Sequence, residues 1–152
     1  HSLLNAEADP YINQTTVALH GALDREAFAA AWQQALERHP ILRSGFAVQG
    51  LPSPRQLPHR QVSLPLAEQD WSGLEPAQAR SRLSELQAQQ CEAGFDLAAP
   101  PLMRLALLRR SADEHWLVWT RHHLIVDGWS SALLLDEVWR LYAALRESRT
   151  PQ

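Results

Sequence analysis

A single cysteine, Cys91, is all the thiol chemistry the 152-residue sequence offers. An internal disulfide is therefore excluded, and the composition fits a reducing cytoplasm. With no histidine near it in the sequence, Cys91 reads as a small packing residue rather than a nucleophile. No apolar run approaches the roughly eighteen residues that would span a bilayer. Basic residues are not in excess either. A formal charge of −3 and a pI of about 6.2 give a nucleic-acid partner no electrostatic basis. Internal repeats, low-complexity tracts and linkers are absent. The sequence opens on His1 rather than Met, with no charged-then-apolar leader behind it, so both ends are expected to be cuts through a longer polypeptide.

What is present suits a globular domain with a real core: 45% of residues are hydrophobic and 20% charged. Gln14 to His20, rich in Thr and Val, predicts a strand. A helix is expected from Arg25 to about His39, with Asp24 as its N-cap and Leu23 placed to staple onto Phe28. Phe28, Trp32, Ala35 and Leu36 recur at helical spacing and give that helix one buried face. Pro40 ends it, and Ile41 to Val48 reads as the next strand. A surface loop at Gly50 to Pro58 and short strands near Gln56 to His59 and Gln61 to Leu66 follow. Pro76 suits the first turn of a second helix that runs to about Glu92 and stops at Gly94. Leu102 to Arg109 and Trp116 to Leu124, joined by Ser111-Ala112-Asp113-Glu114, predict a hairpin. A third helix begins near Gly128, with Leu134, Val138, Leu141, Tyr142 and Leu145 as its apolar stripe. The pattern is that of one α+β unit, three helices on a mainly antiparallel sheet.

Chemistry concentrates in Arg121-His122-His123-Leu124-Ile125-Val126-Asp127-Gly128-Trp129-Ser130, where the hairpin's second strand gives way to the last helix. Neighbouring strand residues face opposite ways, so one imidazole should look into the protein body and the other toward a cleft. In the following turn the Asp127 carboxylate can orient neighbours, and the Gly128 N–H can point at a ligand. An imidazole, titrating near pH 6.5, is the natural proton acceptor for chemistry near neutrality. Two histidines at a strand end are by themselves often just hydrogen-bonded core or surface residues. The whole His-His-x-x-x-Asp-Gly pattern is far more constrained.

That pattern resembles the active-site motif of condensation domains of nonribosomal peptide synthetases, a family that shares its fold with chloramphenicol acetyltransferase. Arg38-His39-Pro40-Ile41-Leu42-Arg43-Ser44-Gly45-Phe46 is similar to the family's upstream Arg-His-Glu-x-Leu-Arg-Thr-x-Phe, with Pro40 in place of Glu and Ser44 in place of Thr. Phe95-Asp96-Leu97 followed by Pro101-Leu102-Met103-Arg104 is family-like in order and spacing. The matches run from His1 to about Leu145. The resemblance implies a chloramphenicol acetyltransferase-like half-domain, with residues 1–152 as the N-terminal subdomain. A first motif would lie ahead of His1, and a C-terminal lobe facing this one across a tunnel would lie beyond Gln152.

The resemblance also implies a reaction. The amine of an acceptor aminoacyl thioester attacks the thioester carbonyl of a donor, both delivered on the phosphopantetheine of carrier domains. His123 matches the catalytic position, as a base or as the group that positions the amine. Gly128 would offer an N–H to the developing oxyanion. Asp127 is expected to pair with Arg43 and act structurally, with His122 as further support. Trp129 and Ser130 are cleft candidates with packing as the alternative. No directly bound cofactor and no metal is required. The partners implied are donor and acceptor carrier domains and the C-terminal lobe, with self-association of the lone lobe also expected. Cyclisation domains replace these histidines with an Asp-based motif. Epimerisation domains, the nearer alternative, continue Gly-Val-Ser-Trp-Arg where this sequence has Gly128-Trp129-Ser130-Ser131-Ala132. His1-Ser2-Leu3 with Tyr11 and Gln14 is similar to members that accept a donor ending in a D-residue.

Other classes fit less well. Gly128-Trp129-Ser130-Ser131-Ala132 nearly satisfies the nucleophile elbow of serine hydrolases, but that architecture needs a parallel sheet ahead of the serine. A metal site from His122, His123 and Asp127 suffers from divergent side chains and the lack of further ligands at usual spacing. A third reading makes the lobe a carrier-binding module without catalysis.

Overall fold

The computed structural model describes residues 11–47, 50, 52–53, 55–125 and 128–149, the side chains of 128–130 and 149 excepted. In chain order the elements are β1 (Ile12–His20), α1 (Arg25–Arg38), a 3-10 turn (Pro40–Arg43), β2 (Ser44–Ala47), β3 (Arg55–Pro58), β4 (Leu66–Asp70), α2 (Pro76–Ala93), β5 (Met103–Ser111), β6 (Glu114–His122) and α3 (Gly128–Arg149). They fall into two compact units. The first comprises His1–Ala22, Leu66–Phe95 and Met103–His123; the second comprises Leu23–Pro65, Asp96–Leu102 and Leu124–Gln152.

The first unit is a four-stranded sheet in the order β1-β6-β5-β4 with α2. β6 runs antiparallel to both β1 and β5, and only β4 lies parallel to its neighbour, so the sheet is mainly antiparallel as expected. The β5–β6 hairpin closes with Ser111 opposite Glu114, and Gly21, at φ 95°, donates its N–H to the Asp113 carbonyl at 2.7 Å. Leu83 and Leu86 of α2 pack on a buried cluster of Trp71, Ala106, Leu108 and Val118. Together with Ala79, fully buried, they form the single apolar stripe this otherwise polar helix needs to dock. Pro76 occupies the first turn, Glu75 and Gln78 form a capping box, and Gly94 closes the C-terminal end at φ 58°. A left-handed residue at that position favours glycine, as the helix stop at Gly94 implies.

In the second unit α1 packs on α3, and β2 pairs with β3 antiparallel. Asp24 caps α1, its carboxylate accepting from the Ala27 N–H at 3.0 Å. Ala27, Phe28, Ala31, Trp32, Ala35 and Leu36 are the buried face. Phe28 meets Trp139 and Tyr142 of α3 at centroid distances of 5.7 Å and 6.4 Å. The Tyr142 hydroxyl accepts from the Asp24 N–H at 3.0 Å, tying α3 to the start of α1.

Three expectations are corrected. The strand expected over Trp116 to Leu124 runs over Glu114–His122, which leaves His123 and Leu124 in the turn beyond it. Ile41 to Val48 is not one strand. Pro40 has φ already suited to a helical first turn and no N–H to lose, so the chain winds a 3-10 turn before β2 begins at Ser44. Leu42 N–H bonds the His39 carbonyl at 2.9 Å, and Ser44 Oγ donates to the Pro40 carbonyl at 2.8 Å. Val48 lies outside the described residues. The strand expected over Gln61 to Leu66 forms instead at Leu66–Asp70. The earlier backbone is satisfied by a side chain: Gln33 donates to the Val62 carbonyl and accepts from the Leu64 N–H, each at 2.9 Å.

Gly45 in β2 permits a close backbone crossing. A Cβ there would sit 2.8 Å from the Ala98 carbonyl oxygen and 3.1 Å from that of Leu97, and Phe46 N–H bonds the same Leu97 carbonyl at 2.6 Å. Backbone atoms cannot swing aside as a side-chain tip can. Gly45→Ala is therefore expected to destabilise the chain by about 1–3 kcal/mol, read as a lowered urea midpoint with an unchanged denaturant slope.

Candidate active site

The first unit ends at His123 and the second resumes at Leu124, so the motif is divided between them. In the first unit, β1–β6 pairing sets His122 opposite Ile12 at the last position of β6. His122 is 5% exposed. Its ring stacks on Tyr11 (6.2 Å, 25° between planes) and receives the Phe95 ring edge-on (6.5 Å, 80°). His123 is exposed, and its backbone N–H bonds the Tyr11 carbonyl at 2.6 Å. The two imidazoles thus occupy contrasting environments: one is packed among rings, the other open.

Charged groups brace this end of the sheet. Arg121, 7% exposed, donates through Nη1 to Thr15 Oγ1 at 2.9 Å, and its guanidinium lies 4.0 Å above the Trp119 ring. Burial lowers its pKa, yet a guanidinium stays charged in proteins. Arg104 lies 4.2 Å over Phe95 and donates to the Gln90 side chain at 2.6 Å and the Gln90 carbonyl at 2.5 Å. Cys91 is partly covered, and burial raises its thiol pKa, against a smaller lowering by the Arg104 charge. A thiol kept protonated is a poor nucleophile. The group contributes stability below the ordinary thiol value of 9.0, and that contribution is lost as pH rises through the higher folded value.

In the second unit, Arg43 is half-buried and clips three backbone carbonyls. Its Nε donates to Leu36 at 3.1 Å, and its Nη1 donates to His59 at 2.6 Å and Arg60 at 3.3 Å. These bonds join the last turn of α1 to the segment after β3. Asp127, the partner expected for Arg43, lies outside the described residues. Gly128 is the first residue of α3, where helix N–H groups lack partners within the helix. The side chains of Trp129 and Ser130 lie outside the description. A groove of about 650 Å³ runs between α1, the 3-10 turn and α3, floored by Ile41, Leu42, Ile125, Leu134 and Leu141. At its rim His39 Nε2 meets Glu137 Oε2 at 2.7 Å.

Sequence reasoning overlooks the roles of Tyr11, Phe95 and Arg104 around His122. Tyr11 and His122 meet only through β1–β6 pairing, across more than a hundred residues. The usable signal for Phe95 and Arg104 was their family-like match, which marked those two residues without saying what they touch. Among the described residues no group of three or more His, Cys, Asp or Glu gathers to hold a metal ion. No helix among them is long and apolar enough to cross a membrane. The strand leading into Ser130 is antiparallel to both neighbours, unlike the parallel sheet that a nucleophile elbow requires.

A family model described as the condensation domain matches residues 1–152. The chain belongs to the condensation-domain family. Chondramide synthase cmdD of Chondromyces crocatus is 40% identical over 147 residues, covering 92% of this condensation-domain chain and 4% of the synthase. Among solved structures, SgcC5 of Streptomyces globisporus superimposes with a TM-score of 0.79 at 25% identity, covering 93% of this chain and 32% of that one. The starter condensation domain of rhizomide synthetase RzmA gives 0.79 at 22% identity, covering 97% of this chain and 35% of its own, a likeness of fold. The chain therefore spans a few per cent of the synthase and about a third of each solved relative. The fold is the chloramphenicol acetyltransferase-like α+β arrangement.

Proposed function

We propose that this chain supplies the His-bearing half of a site that joins a donor and an acceptor aminoacyl thioester by an amide bond. The observation that carries the reading is the contrast within the motif: His122 is packed among rings and His123 is exposed at the end of β6. An exposed imidazole on a fixed backbone can accept a proton from the acceptor amine, or hold that amine in line with the carbonyl. The Gly128 N–H at the start of α3 serves the oxyanion. Asp127 acts structurally with Arg43, whose other bonds already brace α1. His122 supports the site, and Trp129 and Ser130 border it. Substrates arrive on phosphopantetheine of donor and acceptor carrier domains in the cytoplasm, and a C-terminal lobe completes the tunnel.

The isolated chain is then inactive. Mixed with loaded donor and acceptor carriers it should yield no dipeptidyl thioester, whereas a domain of its solved relatives' full length should. Carrier binding without product from the full-length domain would leave a binding module, and D/L exchange of a carrier-bound residue would indicate an epimerisation domain.

A lone lobe also leaves apolar surface uncovered. Leu133 is 49% exposed beside the groove floored by Ile41, Leu42 and Leu134, and patches of this kind favour association. The 152-residue chain is expected to self-associate. Light scattering from a monodisperse monomer at high concentration would count against this.

A further inference from the structure

We propose that Tyr11, Phe95 and Arg104 are positioning residues that set the direction in which His123 leaves the sheet; this rests on His123 being the reactive imidazole. His123 is exposed, and its aim depends on its backbone and on the residue before it. Both are held by Tyr11. The Tyr11 carbonyl takes the His123 N–H at 2.6 Å, while the Tyr11 ring covers one face of His122. Phe95 closes on His122 edge-on, a favoured aromatic geometry. Phe95 is itself seated by Arg104, whose guanidinium lies 4.2 Å over its ring. Two bonds to Gln90 of α2 anchor that guanidinium. The order of support runs from α2 through Arg104 and Phe95 to His122, and from β1 through Tyr11 to both histidines. A loss of aim of about 1 Å at a reacting group can cost on the order of 100-fold in rate.

The test uses a condensation domain carried to the full length of its solved relatives, with donor and acceptor thioesters on carriers. Tyr11→Ala and Phe95→Leu should each lower kcat by about 10-fold or more, with KM for the acceptor carrier little changed. Tyr11→Phe, which keeps the ring, should restore kcat. His123→Ala is measured alongside. If it is inactive while Tyr11→Ala and Phe95→Leu keep full kcat, the positioning role is overturned and the assignment of His123 stands. The histidine ring Cε1–Hε1 signals, recorded on the same proteins, judge the proposal without reference to turnover. Tyr11→Ala should shift the His122 signal and broaden or split that of His123. An unmoved His123 signal overturns the proposal even if His123→Ala remains active and the chemical role fails. Tyr11 is 60% exposed, so its replacement is readily accommodated and decides the matter should Phe95→Leu not fold.

Discussion

In a full-length domain His123→Ala is expected to slow amide formation by about 10²–10⁴-fold, the usual range for a general base in place. The melting temperature should barely move, because His123 is exposed and surface substitutions seldom change stability by more than about 0.5 kcal/mol. His122→Ala should behave in the opposite sense. That ring is 5% exposed and fills the space between Tyr11 and Phe95, so its removal leaves a cavity and should lower the melting temperature first. Both variants are loaded with the same thioesters and compared for single-turnover rate and thermal midpoint. A well-folded His123→Ala enzyme that condenses at near the unmodified rate would remove the base assignment. Substrate positioning, with the Gly128 N–H as oxyanion donor, would then be the surviving mechanism. Such a result has a chemical route, since an acceptor amine that is already neutral needs little help from a base.

The two histidines also mark how far local pattern carries. The contrast between them does not come from strand alternation: Leu117 to His122 are buried in succession along β6, and His123 lies in the turn just beyond the strand. The helices were legible: the Phe28, Trp32, Ala35, Leu36 stripe and the Asp24 cap are local signals, and α1 forms where they place it. What the sequence hid was non-local. Leu66–Asp70 carries no strand-like alternation, with four of its five residues exposed, and it is a strand because β5 offers it a parallel partner. Gln33 takes the backbone bonds of Val62 and Leu64 from 29 and 31 residues away. The same holds at the site. Resemblance pointed to candidate residues but could not bring Tyr11 to His122, since only sheet register does that. Nor does any local pattern show that Arg43 binds three main-chain carbonyls, two of them 16 and 17 residues along the chain.

The largest effect on stability is expected from the α1–α3 contact. Phe28 is fully buried, packed against Trp139 and Tyr142, which themselves meet edge-to-face at 5.4 Å. Phe28→Ala removes the ring common to both contacts and should cost about 3–5 kcal/mol, the transfer term plus the cavity left behind. A protein of ordinary stability has only about 5–15 kcal/mol in hand, so the variant should show a strongly lowered denaturation midpoint or fail to fold at 37 °C. Phe28→Leu, which retains much of the volume, should recover a large part of the loss. Tyr142→Phe isolates the remaining tie, the hydroxyl that accepts from the Asp24 N–H, and should cost about 0.5–1.5 kcal/mol. The role proposed for the Gly128 N–H would link this contact to function, since α3 begins at Gly128. Loosening this helix on α1 would misplace its first N–H groups, so a folded Phe28→Leu domain should lose kcat while leaving carrier binding intact. Equal kcat in Phe28→Leu and the unmodified domain would mean that α3 is held by its other contacts, and the helix start would then owe nothing to the aromatic cluster.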